Sequence, residues 1–255
     1  MKPLILVSND DGFRSKGIQA LTAAMEPLGD VVVAAPDREQ SAMSHAISLD
    51  RPLRATEHAP GRWAIDGTPA DCAYLAMLHL CPRPPALVVS GINHGYNLGS
   101  DFFYSGTVAA AVEGALRGTP AIAFSMQRGE DEGFEIVARF ARELATHVLA
   151  HGLPPQTLLS VNAPCKPGRE IQGYRWTRLG KRAYRDQVDM RSDLRGRRYF
   201  WIGGPEIEIE GAPGTDCHAV QNDLISVTPL HLDLTHEEDL REVRSWTLSG
   251  FKHAK

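Results

Sequence analysis

Short apolar runs alternate with amphipathic stretches over the first two-thirds of the chain, and this alternation constrains the fold more than any other feature. The runs lack the period-two polarity of a strand with one face in water, so both faces are predicted to be buried. They are Leu4–Ser8, Val31–Ala35, Ala86–Ser90, Ala121–Phe124 and Leu158–Asn162. The stretches with helical spacing are Gly17–Leu28, Pro69–Leu80, Val108–Leu116 and Phe134–Leu149. The alternation predicts an α/β fold with a mostly parallel sheet and helices on both faces.

The last third of the chain, from about residue 165, has a different character. It is dense in Arg, Lys and Tyr between Tyr174 and Phe200, and the aromatic run Tyr199–Gly204 is typical of an exposed strand. A strand is also predicted at Leu224–Pro229 and a short helix at His236–Trp246. Because this part has too few apolar residues for its own core, we predict an arm that packs on the main domain or on another subunit.

Charge and hydropathy exclude several classes of protein. Lys+Arg 27 against Asp+Glu 31 gives a net charge of −4, which argues against a partner that is a nucleic-acid polymer. No stretch reaches the roughly 18–20 uncharged apolar residues of a membrane span. Four cysteines without a Cys-x-x-Cys pair, and no signal-peptide pattern, predict a cytoplasmic protein with reduced thiols.

Polar residues follow the predicted strands at their carboxyl ends, where ligands of parallel sheets bind. Asp10 and Asp11 come after the first strand, and Ser41 lies after the second. Adjacent aspartates converge on one ion only where the chain leaves strand geometry, and Gly12 permits such a turn. Two carboxylates with a hydroxyl and an amide oxygen suit Mg²⁺ or Mn²⁺. A plain turn or a helix cap is the alternative for this acidic segment.

A segment rich in glycine and asparagine, Gly91–Gly99, follows the third strand. Its glycines allow backbone N–H groups to approach a ligand closely. The run Ser105–Thr107 then opens a predicted helix, whose N-terminal amides and hydroxyls suit an anion. Simple helix capping is compatible with that role. No P-loop is present, and no Gly-x-Gly-x-x-Gly follows the first strand, which disfavours a P-loop triphosphatase or a dinucleotide dehydrogenase.

Together these segments resemble the SurE (stationary-phase survival) family. In chain order, the matching segments are Val7–Gly12, Ala35–Ser41, Gly67–Cys72, Val89–Gly99, Tyr104–Ala111 and Ser226–Leu230. They span nearly the whole chain, and their combination is far more specific than any one of them. The resemblance implies a Rossmann-like α/β fold, with a catalytic core in residues 1–180 and a β-rich oligomerisation arm and C-terminal segment in residues 181–255. Homodimers or homotetramers that exchange this arm are implied as well.

The same resemblance implies a metal-dependent phosphatase that hydrolyses nucleoside 5′-monophosphates, with 3′-monophosphates as further candidate substrates. The positions that would hold one divalent cation, Mg²⁺ or Mn²⁺, are Asp10, Asp11, Ser41 and Asn93. The positions that would hold the phosphate group are Asn97, Ser105, Gly106 and Thr107. The catalytic pair would be Asp10 and Asp11, either by taking a proton from water or by covalent attack, and both routes stay open.

Two other functions are compatible with the sequence. Short-chain polyphosphate is a candidate substrate because Lys181-Arg182 and Arg195–Arg198 are basic, although a solvated or subunit-facing strand is the favoured explanation of these residues. The second alternative function is a regulator that binds a nucleotide without catalysis.

One departure from the family pattern affects the expected loop geometry: Ala42 follows Ser41 where many relatives have glycine.

Overall fold

The predicted alternation of strands and helices is present in the computed structural model, which describes residues 1–129, 132–165, 170–184, 187–203 and 206–250. The strands are β1 Leu4–Ser8, β2 Asp30–Pro36, β3 Ala55–Ala59, β4 Arg62–Ile65, β5 Leu87–His94, β6 Ala121–Met126, β7 Thr157–Ala163, β8 Gly173–Trp176, β9 Lys181–Tyr184, β10 Gln187–Ser192, β11 Arg198–Gly203, β12 Glu206–Glu210 and β13 Leu224–His231. The helices are α1 Lys16–Met25, α2 Pro69–Leu75, α3 Gly106–Leu116, α4 Glu132–His151, α5 Asp216–Gln221 and α6 Glu237–Val243.

The main sheet has nine strands in the order β3-β4-β2-β1-β5-β6-β7-β13-β8. Its β3–β4 and β7–β13 pairs are antiparallel, and the other neighbours are parallel. Strand β1 lies between β2 and β5, so the loops that leave these three strands at their carboxyl ends are adjacent. The strand order changes direction at this point, which is where ligands bind in open parallel sheets.

Side chains of β1 alternate between two hydrophobic layers, one on each face of the sheet. Ile5 and Val7 pack with α1 and α4, whereas Leu4 and Leu6 pack with residues of α2 and α3. All residues of β1 are buried, which is why the run reads as continuously apolar. The predicted fold class, a mostly parallel sheet covered by helices on both faces, is confirmed.

Capping side chains set where the helices begin. Ser15, Thr68 and Ser105 cap α1, α2 and α3, and each accepts a hydrogen bond from a backbone N–H three residues further on. The helix predicted at Pro69–Leu80 differs in its second half, because α2 continues as a π-helical turn over Ala76–Leu80. Its end is set by Pro82, which favours an extended backbone at Cys81.

The segment after residue 165 is only partly an arm. Strand β13 returns to the main sheet beside β7, β8 forms the sheet edge, and α5 packs against β13. The β10–β11 hairpin carries the predicted exposed strand, with Phe200 58% and Trp201 64% exposed. A division into functional units at residue 180 stays a prediction, but the polypeptide crosses back into the sheet after it.

The β3–β4 hairpin is not predicted from the sequence, because β3 is short, polar and mostly exposed.

None of the helices in the described ranges has the length and apolar character to cross a membrane. All four cysteines are free.

Candidate active site

The acidic pair lies in a tight turn directly after β1. Asp10 is 5% exposed, and Asp11 is half-buried. Gly12 has a φ of +98°, and a Cβ there would lie 3.1 Å from the Arg38 carbonyl carbon, so glycine is strongly favoured. Asn9 closes the turn because its Nδ2 donates to the Gly12 carbonyl at 3.0 Å. The chain therefore leaves strand geometry at the position where the sequence predicts it.

Asp10 contacts the start of α3. The turn after β1 therefore lies against the helix whose N-terminus is predicted to bind an anion. The Thr107 hydroxyl donates to Asp10 Oδ1. Gly106 packs directly against the same side chain, since a Cβ on Gly106 would lie 2.8 Å from Asp10 Cβ and 3.2 Å from its Oδ2. The Gln40 backbone N–H donates to the Asp10 carbonyl at 2.8 Å, which brings the loop after β2 alongside. Two distant segments of the chain thus contact this aspartate.

Asp11 contacts the glycine-rich segment at the end of β5. The backbone N–H of His94 donates to Asp11 Oδ2 at 3.2 Å. The preceding residue, Asn93, donates from its Nδ2 to the Gly95 carbonyl at 2.9 Å, which orients its amide. The His94 ring accepts a hydrogen bond from the Gly129 N–H at 3.0 Å. Asn93 is therefore adjacent in sequence to a direct partner of the acidic pair.

Ser41 is exposed, and its hydroxyl contacts another side chain. Its Oγ donates to Glu39 Oε1 at 2.7 Å, rather than to either aspartate. The loop that follows is attached to the entry of α3, because the Ser44 N–H donates to the Tyr104 carbonyl at 3.1 Å. The structure thus brings the segment of Ser41 to the acidic pair, but not the Ser41 hydroxyl itself.

Three of the predicted phosphate residues, Ser105, Gly106 and Thr107, lie at the N-terminus of α3, whereas Asn97 contacts residues of β6 and β7. Ser105 Oγ accepts from the Val108 N–H at 3.1 Å, so this hydroxyl is the N-cap of the helix. The N–H groups of Gly106 and Thr107 belong to the first turn, where a helix leaves its amides without intrahelical partners. Asn97 is buried in the preceding segment, and its Nδ2 donates to Ser125 Oγ at 2.8 Å.

Both aspartates are difficult to ionise in this setting. Burial raises the pKa of Asp10 to about 6; the Thr107 hydrogen bond lowers the pKa, and the charge of Asp11 raises it. Burial also raises the pKa of Asp11, against the lowering effect of the His94 N–H. A divalent cation would offset both burial and mutual repulsion.

The chemistry of the donor groups fits Mg²⁺ or Mn²⁺, since carboxylate, hydroxyl and amide oxygens are hard ligands. In the part of the chain that the structure describes, no three His, Cys, Asp or Glu side chains are grouped to hold a metal ion. A cation bound to Asp10 and Asp11 therefore needs uncharged oxygen atoms as its further ligands. Ser41 and Asn93 are the residues predicted to supply them.

Two buried polar residues near the site, Asn162 and Ser125, are missed by the sequence reasoning. The Asn97 backbone N–H donates to Asn162 Oδ1 at 2.8 Å, and Ser125 contacts the Asn97 side chain as described above. A signal was present, because Asn162 ends one predicted strand and Ser125 directly follows another. The rule that ligands collect at the carboxyl ends of strands points to both positions.

Known proteins resemble the chain over nearly its full length. The family model described as Survival protein SurE matches residues 5–186. The chain belongs to the SurE family. A 5′-nucleotidase SurE from Myxococcus xanthus (strain DK1622) is 55% identical over 249 residues, which cover 97% of this chain and 94% of the relative. A 5′-nucleotidase SurE from Geobacter sulfurreducens is 50% identical over 247 residues, covering 96% of this chain and 94% of the relative.

A solved SurE structure shares the fold. The crystal structure of the SurE protein from Aquifex aeolicus is 43% identical, has a TM-score of 0.84, and matches over 95% of this chain and 98% of that one. The SurE membership predicted from the sequence motifs is confirmed. Nucleotidases of the SurE family are in general metal-dependent.

Proposed function

We propose that this chain is a metal-dependent 5′-nucleotidase, which hydrolyses nucleoside 5′-monophosphates to nucleoside and phosphate. One observation carries the proposal: Asp10 contacts Gly106 and Thr107 at the start of α3, while Asp11 contacts His94 at the end of β5. This arrangement sets paired carboxylates against a helix N-terminus, which suits a cation together with a phosphate group. The shared name of the relatives, 5′-nucleotidase, supports the same activity.

The proposed cofactor is one divalent cation, Mg²⁺ or Mn²⁺, held by Asp10, Asp11, Ser41 and Asn93. When bound, the cation offsets negative charge on the phosphate oxygens and orients the group. The burial that raises the pKa of both aspartates supports this assignment, because the paired carboxylates need a positive charge nearby. Ser41 would exchange its hydrogen bond with Glu39 for a place among the ligands.

The proposed phosphate site comprises Asn97, Ser105, Gly106 and Thr107. Backbone N–H groups of Gly106 and Thr107 donate to phosphate oxygens, where the dipole of α3 favours negative charge. Because the Thr107 hydroxyl already donates to Asp10, Thr107 serves the phosphate through its backbone. These fixed donors stabilise the charge on the equatorial oxygens as the P–O bond breaks.

Asp10 and Asp11 are the catalytic residues of this proposal. In the direct route, one carboxylate takes a proton from the water that attacks phosphorus. In the covalent route, one carboxylate attacks phosphorus while the P–O ester bond breaks and the nucleoside leaves, its oxygen taking up a proton; water then hydrolyses the phospho-aspartyl group to aspartate and phosphate. Stereochemistry separates the two routes. A substrate with a chiral, isotopically labelled phosphate gives inversion at phosphorus by the direct route and retention by the covalent one.

A phosphate-release screen tests the proposed activity. The wild-type protein is assayed with 5′-AMP, 3′-AMP and tripolyphosphate, each with EDTA, Mg²⁺ or Mn²⁺. We expect release from 5′-AMP only with a divalent cation, and its loss in Asp11→Asn. The matched control is Asp50→Asn, an exposed aspartate outside the site. Tight AMP binding without release would instead support the regulator, and faster release from tripolyphosphate would support the polyphosphatase.

The basic residues that suggest polyphosphate are partly neutralised. Arg182 forms an ion pair with Asp101 at 2.6 Å, and both side chains are mostly buried. Arg197 pairs with Asp193 at 2.8 Å. These pairs reduce the positive charge available to a long anion, so a nucleotide remains the preferred substrate.

The partners of this proposal are a nucleoside monophosphate and further copies of the chain, as a homodimer or homotetramer. The exposed aromatic residues of the β10–β11 hairpin, and helix α6 without a buried residue, support contacts with another subunit. A cytoplasmic location stays a prediction from the sequence.

A further inference from the structure

Asn97 is held at its backbone by the side chain of Asn162. The Asn97 N–H donates to Asn162 Oδ1 at 2.8 Å, and Asn162 Nδ2 donates to the Asn97 carbonyl at 3.3 Å. The two residues are 65 positions apart in the chain, and Asn162 is 1% exposed. One buried amide therefore satisfies both backbone groups of a residue in an irregular segment.

The side chain of Asn97 is fixed separately by Ser125, whose Oγ accepts from Asn97 Nδ2 at 2.8 Å. Ser125 is also 1% exposed. A side-chain amide nitrogen carries two hydrogens, so the bond to Ser125 orients the group and leaves its second N–H for another acceptor. Asn97 thus has its backbone and its amide set by two different strands.

Asn162 and Ser125 belong to a row of polar residues that crosses the sheet near the acidic pair. In the strand register, Asn93 pairs with Ser125, Ser125 with Asn162, and Asn162 with Ser226. Neighbouring strands are about 4.8 Å apart, so such a row fixes lateral spacing. Ser125 therefore lies between Asn93, a proposed metal ligand, and the residue that holds Asn97.

We propose that Asn162 and Ser125 are positioning residues. They hold Asn97 so that the second hydrogen of its side-chain Nδ2 meets a phosphate oxygen. The inference rests on the proposed function, because it takes Asn97 as part of the phosphate site. Neither residue is assigned to bind substrate directly. Both atoms of the Asn162 side-chain amide, Oδ1 and Nδ2, are engaged with the Asn97 backbone, and Ser125 is buried with its hydroxyl bonded to the Asn97 side chain.

A double-mutant cycle between Ser125 and Asn97 tests the inference, because it separates action through Asn97 from general stabilisation. The variants are Ser125→Ala, Asn97→Ala and the double variant, with Ser226→Ala as control. Ser226 is equally buried in the same row, and among the described residues its hydroxyl hydrogen-bonds only to the Asn162 backbone carbonyl, at 3.4 Å. Each variant is assayed for kcat and KM with 5′-AMP, and for binding of inorganic phosphate by calorimetry.

We expect Ser125→Ala to lower kcat/KM and to weaken phosphate binding, each about tenfold, as loss of supporting hydrogen bonds does at other sites. In the Asn97→Ala background the same change should have less than a twofold effect. Ser226→Ala should behave as the wild type. An undiminished tenfold effect of Ser125→Ala in the Asn97→Ala background, or no effect in the wild type, would overturn the inference.

A second variant tests the other contact. Asn162→Ala removes both the acceptor for the Asn97 N–H and the donor to its carbonyl without adding charge, so we expect weaker phosphate binding that is likewise suppressed in the Asn97→Ala background. Phosphate binding equal to that of the wild type in a folded Asn162→Ala protein would contradict the role of Asn162. If Asn97→Ala alone leaves kcat/KM and phosphate binding unchanged, Asn97 is not part of the phosphate site. That result would contradict the proposed phosphate site, and not only the positioning role of Asn162 and Ser125.

Discussion

At the scale of single residues, Asp10 is the position where folding and function make opposite demands. Its carboxyl group is buried beside a second aspartate, which favours the neutral form. Cation binding and proton transfer require the ionised form. The Thr107 hydroxyl, which donates to Asp10, is a protein group that supports ionisation. The metal-free protein should therefore show the conflict as a dependence of stability on pH.

The first prediction concerns that dependence. Since folding raises the pKa of Asp10 from 3.8 to about 6, the folded state binds the proton more tightly than the unfolded state. The resulting stability is fully present below about pH 4 and is lost as the pH rises through about 6, a loss of about 3 kcal/mol by pH 7. Urea unfolding of the EDTA-treated protein between pH 4 and 7 measures it. The difference in unfolding free energy between wild type and Asp10→Asn should change by that amount, and a constant difference would contradict the prediction.

The second prediction concerns activity. Asp10→Asn and Asp11→Asn should each lower turnover of 5′-AMP about a hundredfold or more at saturating Mn²⁺, because a charged group at the reacting centre is lost. Both variants should keep the wild-type far-UV circular dichroism spectrum. At pH 7 without metal, each should unfold at a higher urea concentration than the wild type, since a buried charge is removed. Near-normal turnover in both would remove the aspartates from the catalytic role.

At the scale of elements, the loop between β2 and β3 contains the proposed metal ligand Ser41, and its backbone is strained. Ala42, directly after Ser41, has a φ of 59°, a left-handed conformation that favours glycine. We expect Ala42→Gly to raise the unfolding free energy by about 1 kcal/mol by relieving this strain. The matched control is Ala46→Gly in the same loop, which is outside the left-handed region and should lower stability slightly. Destabilisation by Ala42→Gly comparable to the control would show that the strain is absent.

The same loop is also anchored by a contact that no sequence pattern predicts. His45 Nε2 lies 2.5 Å from Oε1 of Glu113 on α3, and Glu113 in turn contacts Arg117, the residue directly after this helix. The residue pair is separated by 68 positions. An isolated histidine in a sequence is most simply interpreted as a surface residue, because its partner becomes evident only when the helix packs against the loop.

What the sequence predicts well is local. The buried strands follow from apolar runs, and the turn at Gly12 follows from its neighbours and its lack of a side chain. The Thr107–Asp10 contact joins residues 97 positions apart, and it depends on strand order, which periodicity does not encode. The family resemblance brought these residues together, whereas Asn162 and Ser125 required the strand register.

At the scale of the whole molecule, the β10–β11 hairpin presents more apolar surface than a lone chain readily tolerates in water. We expect it to form a contact between copies of the chain. Ile202→Asp should reduce the sedimentation coefficient towards that of a single chain, because a charge is introduced into the contact. Leu49→Asp is the matched control, since Leu49 and Ile202 are both 91% exposed but only Ile202 lies in the hairpin. Unchanged sedimentation of Ile202→Asp would place the contact elsewhere.

We propose that the loops after β1 and β2, together with the end of β5, bring their oxygens to one hard cation beside the N-terminus of α3. Anomalous diffraction from crystals grown with Mn²⁺ and inorganic phosphate locates the cation and the anion in one experiment. We expect one strong manganese peak within coordination distance of Asp10, Asp11, Ser41 and Asn93, with phosphate between it and the Gly106–Thr107 amides. A manganese peak away from the acidic pair, or phosphate bound elsewhere than at the start of α3, would contradict it.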